Sequence, residues 1–306
     1  MIVIANPAAS GGGVGRDWAE LSARVRSAFP DAKLLQTSGA GDGRRLAREA
    51  VESGASRVLS LGGDGTHNEV INGLLDASPD PEAITFGALP AGTGGDFCRM
   101  YACDKTIDAT LEHLRAGVTS PLDLGVVEGL DDDGEPLTRA FLNIASCGAS
   151  GLVDRYVNAS SKRLGGKASF FIASLRATWA YTPATVRLRL DGHEIGTYAI
   201  NSVLACNGRW AGGGMFFAPD ASLSDGVLEI VVIEDVTPSR ILPLATRIYR
   251  GEHASLSFVH TFRGRTLRVE PIEATAWLDI DGEAPGVAPC TIRVLPRPLR
   301  LLGGLR

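Results

Sequence analysis

The sequence predicts an α/β unit followed by an all-β unit: an N-terminal three-layer domain with a largely parallel sheet, then an antiparallel β-sandwich. Three observations predict this. A chain of 306 residues has room for two domains of about 150 residues each. Its first third alternates short apolar strands with amphipathic helices, joined by glycine-rich loops. After about residue 122 the apolar segments favour β-branched residues and are separated by Asp-Gly turns.

The first strand, over 2–5, runs into the loop Asn6-Pro7-Ala8-Ala9-Ser10-Gly11-Gly12-Gly13. Asp17 stands as an N-cap, and Trp18, Leu21, Val25 and Phe29 recur on one helical face. A strand over 33–37 and a helix over 44–51 follow, with Leu46, Ala47, Ala50 and Val51 turned inward. The third strand, over 57–61, leads into Gly62-Gly63-Asp64-Gly65-Thr66-His67-Asn68-Glu69-Val70-Ile71-Asn72-Gly73 and a helix over 68–75. The fourth, over 85–89, ends in Pro90-Ala91-Gly92-Thr93-Gly94-Gly95-Asp96. Repeated β-α units imply a parallel sheet with helices on both faces, and ligands bind such sheets beyond the carboxyl ends of the strands. The glycine loops fall at those ends.

In the second half, strands are expected over 124–128, 140–146, 185–190, 198–206, 227–233, 265–270, 274–280 and 290–295. One helix is expected over 168–179, with Phe171, Ile172, Leu175 and Trp179 on one side. The domains expected are 1–122, to which a tail over 296–306 returns, and 123–295.

Composition excludes several function classes. A net charge of −5 gives no bulk attraction to nucleic acid. The five cysteines form no C-x-x-C pair and the five histidines no H-x-x-x-H, so neither a disulfide framework nor a zinc knuckle is expected. No uncharged run approaches the roughly 18 apolar residues of a membrane span. The N-terminus lacks a basic segment followed by an apolar core, so it reads as a strand and not a signal peptide. The expectation is a cytoplasmic protein, at most peripheral to a membrane.

The run over 62–73 carries the most chemistry. A strand that ends in glycines and opens a helix gathers unpaired N–H groups where partial positive charge collects, which suits an anion. Asp64 in that cradle would repel phosphate unless a metal or a proton intervened, so a nucleotide site with a magnesium-linked or proton-accepting Asp64 is expected. The plainer alternative is a tight turn, but four polar groups (Asp64, Thr66, Asn68 and Glu69) crowd this one. No Gly-Lys-Ser/Thr ends the run and no Gly-x-Gly-x-x-Gly is present, so it is neither a Walker A loop nor a Rossmann fingerprint. The loop Gly92-Thr93-Gly94-Gly95-Asp96 supplies a second glycine turn with a carboxylate. Near the C-terminus, Asp279-Ile280-Asp281-Gly282-Glu283 reads as a turn or as a general-base site, alternation placing Asp279 and Asp281 on one face. Asp225, before Gly226, is either a turn acid or a ligand for a hard cation.

The run over 62–73 resembles the GGDGTxNEV motif of the diacylglycerol-kinase catalytic family, which includes bacterial soluble diacylglycerol kinases, YegS-like lipid kinases, sphingosine kinases and ceramide kinases. Asn6-Pro7 with Ser10-Gly11 resembles its NPxSG loop, one residue longer, and Gly92-Thr93-Gly94-Gly95-Asp96 its GTxND, with Gly95 where asparagine is usual. Gly212-Gly213-Gly214 to Pro219, then Asp225-Gly226-Val227-Leu228-Glu229, resembles GGG…AP…DDGxL, with Ser224 in place of the first acid. Asp281-Gly282-Glu283 matches the closing DGE.

The resemblance implies that Asn6, Ser10, Thr37, the loop Gly62, Gly63, Asp64, Gly65, Thr66, His67 and Asn68, and Thr93 bind ATP. It implies that Asp64 and Asp96 arrange Mg2+ and the phosphates, and that Glu283 accepts the lipid hydroxyl's proton with support from Asp281, unless Asp64 is the base. Asp225, with backbone oxygens of Ser222 and Val227, would hold a structural magnesium. The activity implied is transfer of the ATP γ-phosphoryl group to a lipid hydroxyl, most simply that of diacylglycerol, at a membrane surface. A sphingoid-base or phosphatidylglycerol kinase, an NAD kinase-like enzyme and a catalytically weak nucleotide-binding regulator are the alternatives. A homodimer is compatible with it. Trp210, Met215, Phe216 and Phe217 are candidates for an acyl groove, and Lys162, Arg163 and Lys167 for headgroup contacts.

Overall fold

The computed structural model describes residues 1–77, 80–91, 95–100, 106–159, 181–235 and 237–305. The chain divides into two compact units, Met1–Leu124 with Leu223–Gly226 and Leu295–Arg306, and Gly125–Ser222 with Val227–Val294.

In the first unit, strands β1 (Ile2–Ala5), β2 (Lys33–Gln36), β3 (Arg57–Gly62) and β4 (Thr85–Pro90) pair in parallel in the order β2-β1-β3-β4. Arg300 and Leu301 extend this sheet in parallel beside Thr85 and Phe86. All four residues of β1 and all but the first of β3 are buried, as strands covered on both faces must be, whereas edge strand β2 has no buried residue. Helices α1 (Ala9–Arg16), α2 (Trp18–Ala28), α3 (Asp42–Glu52), α4 (Asp64–Ala77) and α5 (Ile107–Arg115) connect the strands. α3 packs on α4, and α2 on α5. α5 was absent from the sequence expectation; Thr106 starts it, its side-chain oxygen accepting from the Ala109 amide. From β1 the chain moves to β2 on one side and β3 on the other, so the strand order reverses at β1/β3. In open α/β sheets that reversal opens a crevice at the carboxyl ends of the strands.

The α3–α4 contact is unusually close. A Cβ on Gly73 of α4 would lie 2.1 Å from the Arg44 carbonyl oxygen of α3. One on Gly43 would lie 2.7 Å from a Glu69 carboxylate oxygen.

The second unit is antiparallel. Its strands are β5 (Thr119–Asp131, whose first residues belong to the first unit), β6 (Pro136–Phe141), β7 (Ile144–Gly148), β8 (Ala184–Leu190) and β9 (His193–Cys206). Then come β10 (Trp210–Ala211), β11 (Met215–Phe216), β12 (Leu228–Glu234), β13 (Val259–Gly264), β14 (Thr266–Glu273), β15 (Leu278–Ile280) and β16 (Gly286–Leu302, of the first unit from Leu295). Helices α6 (Ala149–Ala159) and α7 (Pro238–Arg250) complete the described elements. The first half of β9 pairs with β8, while its second half lies between β7 and β12. Val203, Ala205, Ile230 and Val232 face the sandwich interior with Leu188, Leu267 and Leu278. Leu204, Cys206, Val231 and Ile233 face the other way, against Leu244 and Ile248 of α7.

The structure corrects several sequence expectations. The strand expected over 140–146 is two, β6 and β7, interrupted at Leu142 and Asn143. That expected over 274–280 shrinks to Leu278–Ile280. α7 and β13 were not foreseen, α7 because Pro243 sits inside it. The helix expected over 168–179 and the cations Lys162, Arg163 and Lys167 lie outside the described residues. Among the described residues no helix is long and apolar enough to cross a membrane.

Alanine normally stabilises a helix interior by about 1 kcal/mol over glycine. Gly73→Ala is expected to reverse that sign and destabilise the protein by about 1–3 kcal/mol, because the added carbon meets a backbone oxygen. Urea unfolding of the variant checks this, and a gain in stability would contradict the packing described.

Candidate active site

In the first unit the described residues predicted for the site follow β1, β2, β3 and β4, at the carboxyl ends of the parallel strands. β3 ends at Gly62 and α4 begins at Asp64, four residues before the helix expected over 68–75. Gly62 therefore ends the strand, Gly63 joins it to the helix, and Gly65 lies in the helix's first turn. The His67 amide donates to the Gly63 carbonyl at 3.1 Å. The amides of Asp64, Gly65 and Thr66 precede the intrahelical ladder and carry the positive end of the helix dipole. Gly62 is required for packing, since a Cβ there would lie 2.5 Å from Thr66 Oγ1.

Asn6 ties this loop to the one after β1. Its Nδ2 donates to Thr66 Oγ1 at 3.0 Å and its Oδ1 accepts from the Ala8 amide at 2.9 Å. Its own amide donates to the Leu61 carbonyl at 3.0 Å. Both ends of the Asn6 side chain are thus engaged within the protein, which makes it a brace between two loops. Beyond it Ser10, Gly11 and Gly12 all hold positive φ (56°, 63° and 84°), a left-handed turn that interrupts α1. Arg16 donates to the Gly11 carbonyl at 3.1 Å across that turn. Thr37 follows β2 at the same end of the sheet, buried, its amide donating to the Ala5 carbonyl at 2.9 Å.

Asp64 accepts from the backbone amides of Asp96 at 3.3 Å and Phe97 at 3.2 Å, so the β3 and β4 loops meet through its carboxylate. The Asp96 carboxylate is itself buried and lies 3.4 Å from Arg99 Nε. Gly95, at φ 62°, occupies the left-handed region. Thr93, with Gly92 and Gly94, lies outside the described residues.

His67 and Asn68 differ from the expectation of direct nucleotide contact. His67 is wholly buried, with Nδ1 2.5 Å from Ser60 Oγ and Nε2 3.9 Å from Cys98 Sγ. Burial lowers its pKa to about 4 against the opposing pull of the Asp64 charge, so the ring is neutral. Asn68 is also buried, and Asn72 Nδ2 donates to its carbonyl at 2.9 Å. Both side chains support the loop from beneath it.

Glu69 was not selected from the sequence as a site residue. It accepts from the Gly41 amide at 2.8 Å and the Gly43 amide at 2.9 Å, closing the N-terminus of α3. No sequence spacing links it to those glycines; tertiary packing alone does.

In the second unit, Ile280 and Glu283 exchange both backbone bonds, at 2.8 and 3.1 Å, around Asp281 and Gly282. Those two residues hold φ of 50° and 89°, a two-residue hairpin turn. Asp281 therefore does not share a strand face with Asp279, as alternation had suggested. Its carboxylate accepts from the amides of Leu142, Asn143 and Ile144 at 2.7, 2.9 and 3.1 Å. Asp279 accepts from Ser146 Oγ at 2.9 Å and from the Gly282 amide at 2.8 Å. Both aspartates are thus used to fix the turn. Glu283, which the turn presents, is 44% exposed and pairs at 2.8 Å with Arg139 of β6, a partner sequence spacing does not reveal.

Among the described residues no group of three or more His, Cys, Asp or Glu forms a metal cage. Asp225, exposed, belongs to the Leu223–Gly226 segment of the first unit, while Ser222 and Val227 belong to the second. Beside it the buried Asp123 accepts from the amides of Gly226 at 2.6 Å and Arg297 at 2.8 Å. Burial raises its pKa in spite of those two bonds, and the Asp225 charge pushes the same way.

The buried His67 has a pH consequence. Its folded pKa lies below its unfolded value, so the unfolded chain binds a proton that the folded chain refuses. Its contribution to stability is complete above about pH 6.5 and falls by about 1.4 kcal/mol per pH unit down to about pH 4. Ring-nitrogen NMR is expected to find His67 neutral at pH 5.5; an imidazolium signal there would overturn the assignment.

Known proteins resemble this chain along both of its units. A model of the diacylglycerol kinase catalytic domain matches residues 1–127, and one of the YegS C-terminal NAD kinase beta sandwich-like domain matches 143–303. A diacylglycerol kinase of Mycobacterium tuberculosis is 30% identical over 281 residues, covering 92% of this chain and 87% of its own. A probable lipid kinase YegS-like protein of Chromohalobacter salexigens is 34% identical over 221 residues, covering 72% of this chain and 68% of its own. A solved structure of a diacylglycerol kinase from Bacillus anthracis has a TM-score of 0.72 at 22% identity, covering 98% of this chain and 95% of that one, a likeness of fold. The glycine cradle at the β1/β3 crevice, the Asp281 turn and these matches together make the chain a member of the diacylglycerol-kinase catalytic family of lipid kinases.

Proposed function

We propose that this chain transfers the γ-phosphoryl group of ATP to the free hydroxyl of diacylglycerol, yielding phosphatidic acid. The observation that carries the reading is the start of α4: three amides ahead of the helical ladder, glycines that keep the approach open, and Asp64 pinned beside them by the Asp96 and Phe97 amides. In this reading the phosphates lie on the amides of 63–66, and the loop after β1, braced by Asn6, borders them. Ser10, Thr37 and Thr93 belong to the same nucleotide site. His67 and Asn68 act through the loop they support.

Glu283 is the proton acceptor for the lipid hydroxyl. Asp281, held by three amides, sets the turn that presents it, and Arg139 steadies its carboxylate. Removing the hydroxyl proton as the new O–P bond forms leaves the attacking oxygen without a developing positive charge.

The donor set suits magnesium, since Asp64, Asp96 and Asp225 offer hard carboxylate oxygens and magnesium needs few of them beside phosphates and water. Asp64 and Asp96 would hold it at the phosphates, and Asp225 with the Ser222 and Val227 carbonyls a second, structural ion. The metal would neutralise charge on the phosphate oxygens. The acceptor lipid resides in a membrane, so the protein works at a membrane surface as a peripheral enzyme of the cytoplasm.

The test is γ-labelled ATP with magnesium and detergent-dispersed lipids, with the label followed into organic-soluble product. Label in phosphatidic acid is expected, and none in phosphorylated sphingoid bases or phosphatidylglycerol, nor in the aqueous phase as phosphorylated NAD when NAD is added in place of lipid. Glu283→Gln is expected to lower kcat by about 10²–10⁴-fold with ATP affinity unchanged. ATP binding without transfer to any lipid would favour a regulator, and near-normal turnover of the variant would remove Glu283 from the mechanism.

A further inference from the structure

The second unit carries a basic helix face that the proposed reaction does not use. α7 contains three arginines and no acidic residue, in a chain of net charge −5. Leu244 and Ile248 anchor it to the core beside Leu204, Val231 and Ile233. Arg240, Arg247 and Arg250 are all exposed, as is Tyr249, 57% of whose surface is accessible.

Arg240 stacks over Phe258, 5.5 Å from the ring centre, and Arg247 Nη1 donates to Ser255 Oγ at 2.6 Å. The helix ends at Gly251, at φ 70°, where a Cβ would come within 2.8 Å of Phe216 and 2.9 Å of Pro219. The chain therefore turns sharply and lays 252–255 beside the last helical turns. An open cleft of about 790 Å³ results, lined by Pro243, Thr246, Arg247, Arg250, Glu252 and Ser255 among others.

Two guanidinium groups at one cleft match the oxygens of a phosphate, and the Ser255 hydroxyl, which accepts from Arg247, donates to the Glu252 carbonyl at 2.6 Å and so holds that arginine at the cleft wall. Glu252 on the same wall works against a single free anion. A surface dense in phosphate outweighs one carboxylate, because it meets all three arginines of α7 together. We infer that this face of α7 seats the protein on an anionic phospholipid bilayer, with a lipid phosphate entering the cleft between Arg247 and Arg250. The inference rests on the lipid-kinase reading above, which requires access to such a surface.

Sedimentation with vesicles tests it. The wild-type protein is expected to bind phosphatidylglycerol–phosphatidylcholine vesicles in a salt-sensitive manner and to leave pure phosphatidylcholine vesicles unbound. An arginine near an anionic surface strengthens binding about fivefold, so the double variant Arg247→Gln, Arg250→Gln should partition about 25-fold more weakly. It should phosphorylate detergent-dispersed diacylglycerol at the wild-type rate. Lysine at both positions should restore most vesicle binding. Unchanged vesicle binding by the glutamine variant, equal binding to neutral vesicles, or no binding by the wild type would each overturn the inference, the last pointing to a protein partner for this face. Loss of detergent-phase phosphorylation in the wild type itself would strike the kinase reading instead and leave the vesicle result standing.

Discussion

The approach of α3 to α4 at backbone distance is the constraint on which the glycine loop at the start of α4 rests. Gly73 allows the Arg44 carbonyl to lie against α4, and Gly43 leaves room for the Glu69 carboxylate. Glu69 then closes the N-terminus of α3 through the Gly41 and Gly43 amides. With α4 held along its length, its first turn has little freedom. The side chains of that turn point inward to Ser60, Cys98 and Asn6, and its amides point outward. A loop that presents bare backbone to a ligand has to be fixed from behind, and here nearly every polar side chain of the motif serves that end.

The second unit solves a similar problem by different means. Glu283 is partly exposed, so its position cannot come from packing of its own side chain. It comes instead from Asp281, whose three amide bonds bind the hairpin to the β6–β7 junction. Those amides are available because the strand breaks at Leu142 and Asn143. The interruption that the sequence reading took for continuous strand is therefore what creates the anchor. Beneath it, strands β9 and β12 bury alternate residues in two cores, one inside the sandwich and one under α7. A sheet packed on both faces has little freedom to shift register.

How much of this could be read from the sequence follows from the range of the interactions. The β-α alternation, the glycine loops and the Asp-Gly hairpin are local signals, and they located the parallel sheet, the strand-to-helix junction after β3 and the turn at Asp281 and Gly282. Element ends were misread where glycines joined a helix, as at Asp64, because low intrinsic propensity was overridden by the loop's own geometry. α7 was missed because Pro243 interrupts a pattern otherwise periodic with Leu244 and Ile248. Glu69, Arg139 and Asp123 were missed for another reason. Their partners lie far away in the chain, and no spacing rule connects a carboxylate to an amide across a fold. Nor do the motif letters tell which polar side chains turn inward: His67 and Asn68 stand in the run as polar residues, yet both are buried.

The same reasoning weighs the departure at Gly95 against the alternative of a catalytically weak nucleotide-binding regulator. The backbone there adopts φ 62°, a conformation that glycine takes freely and that asparagine tolerates better than other side chains. Glycine in place of asparagine therefore preserves the course of the loop. What the loop delivers to Asp64 is the amides of Asp96 and Phe97, which are backbone groups and survive the exchange. The change removes a side chain and keeps the geometry on which the acid depends. A regulator that had abandoned catalysis would have no need to hold Asp64 at the mouth of the helix, so the retained pinning of that carboxylate favours a working phosphotransfer site over a nucleotide sensor.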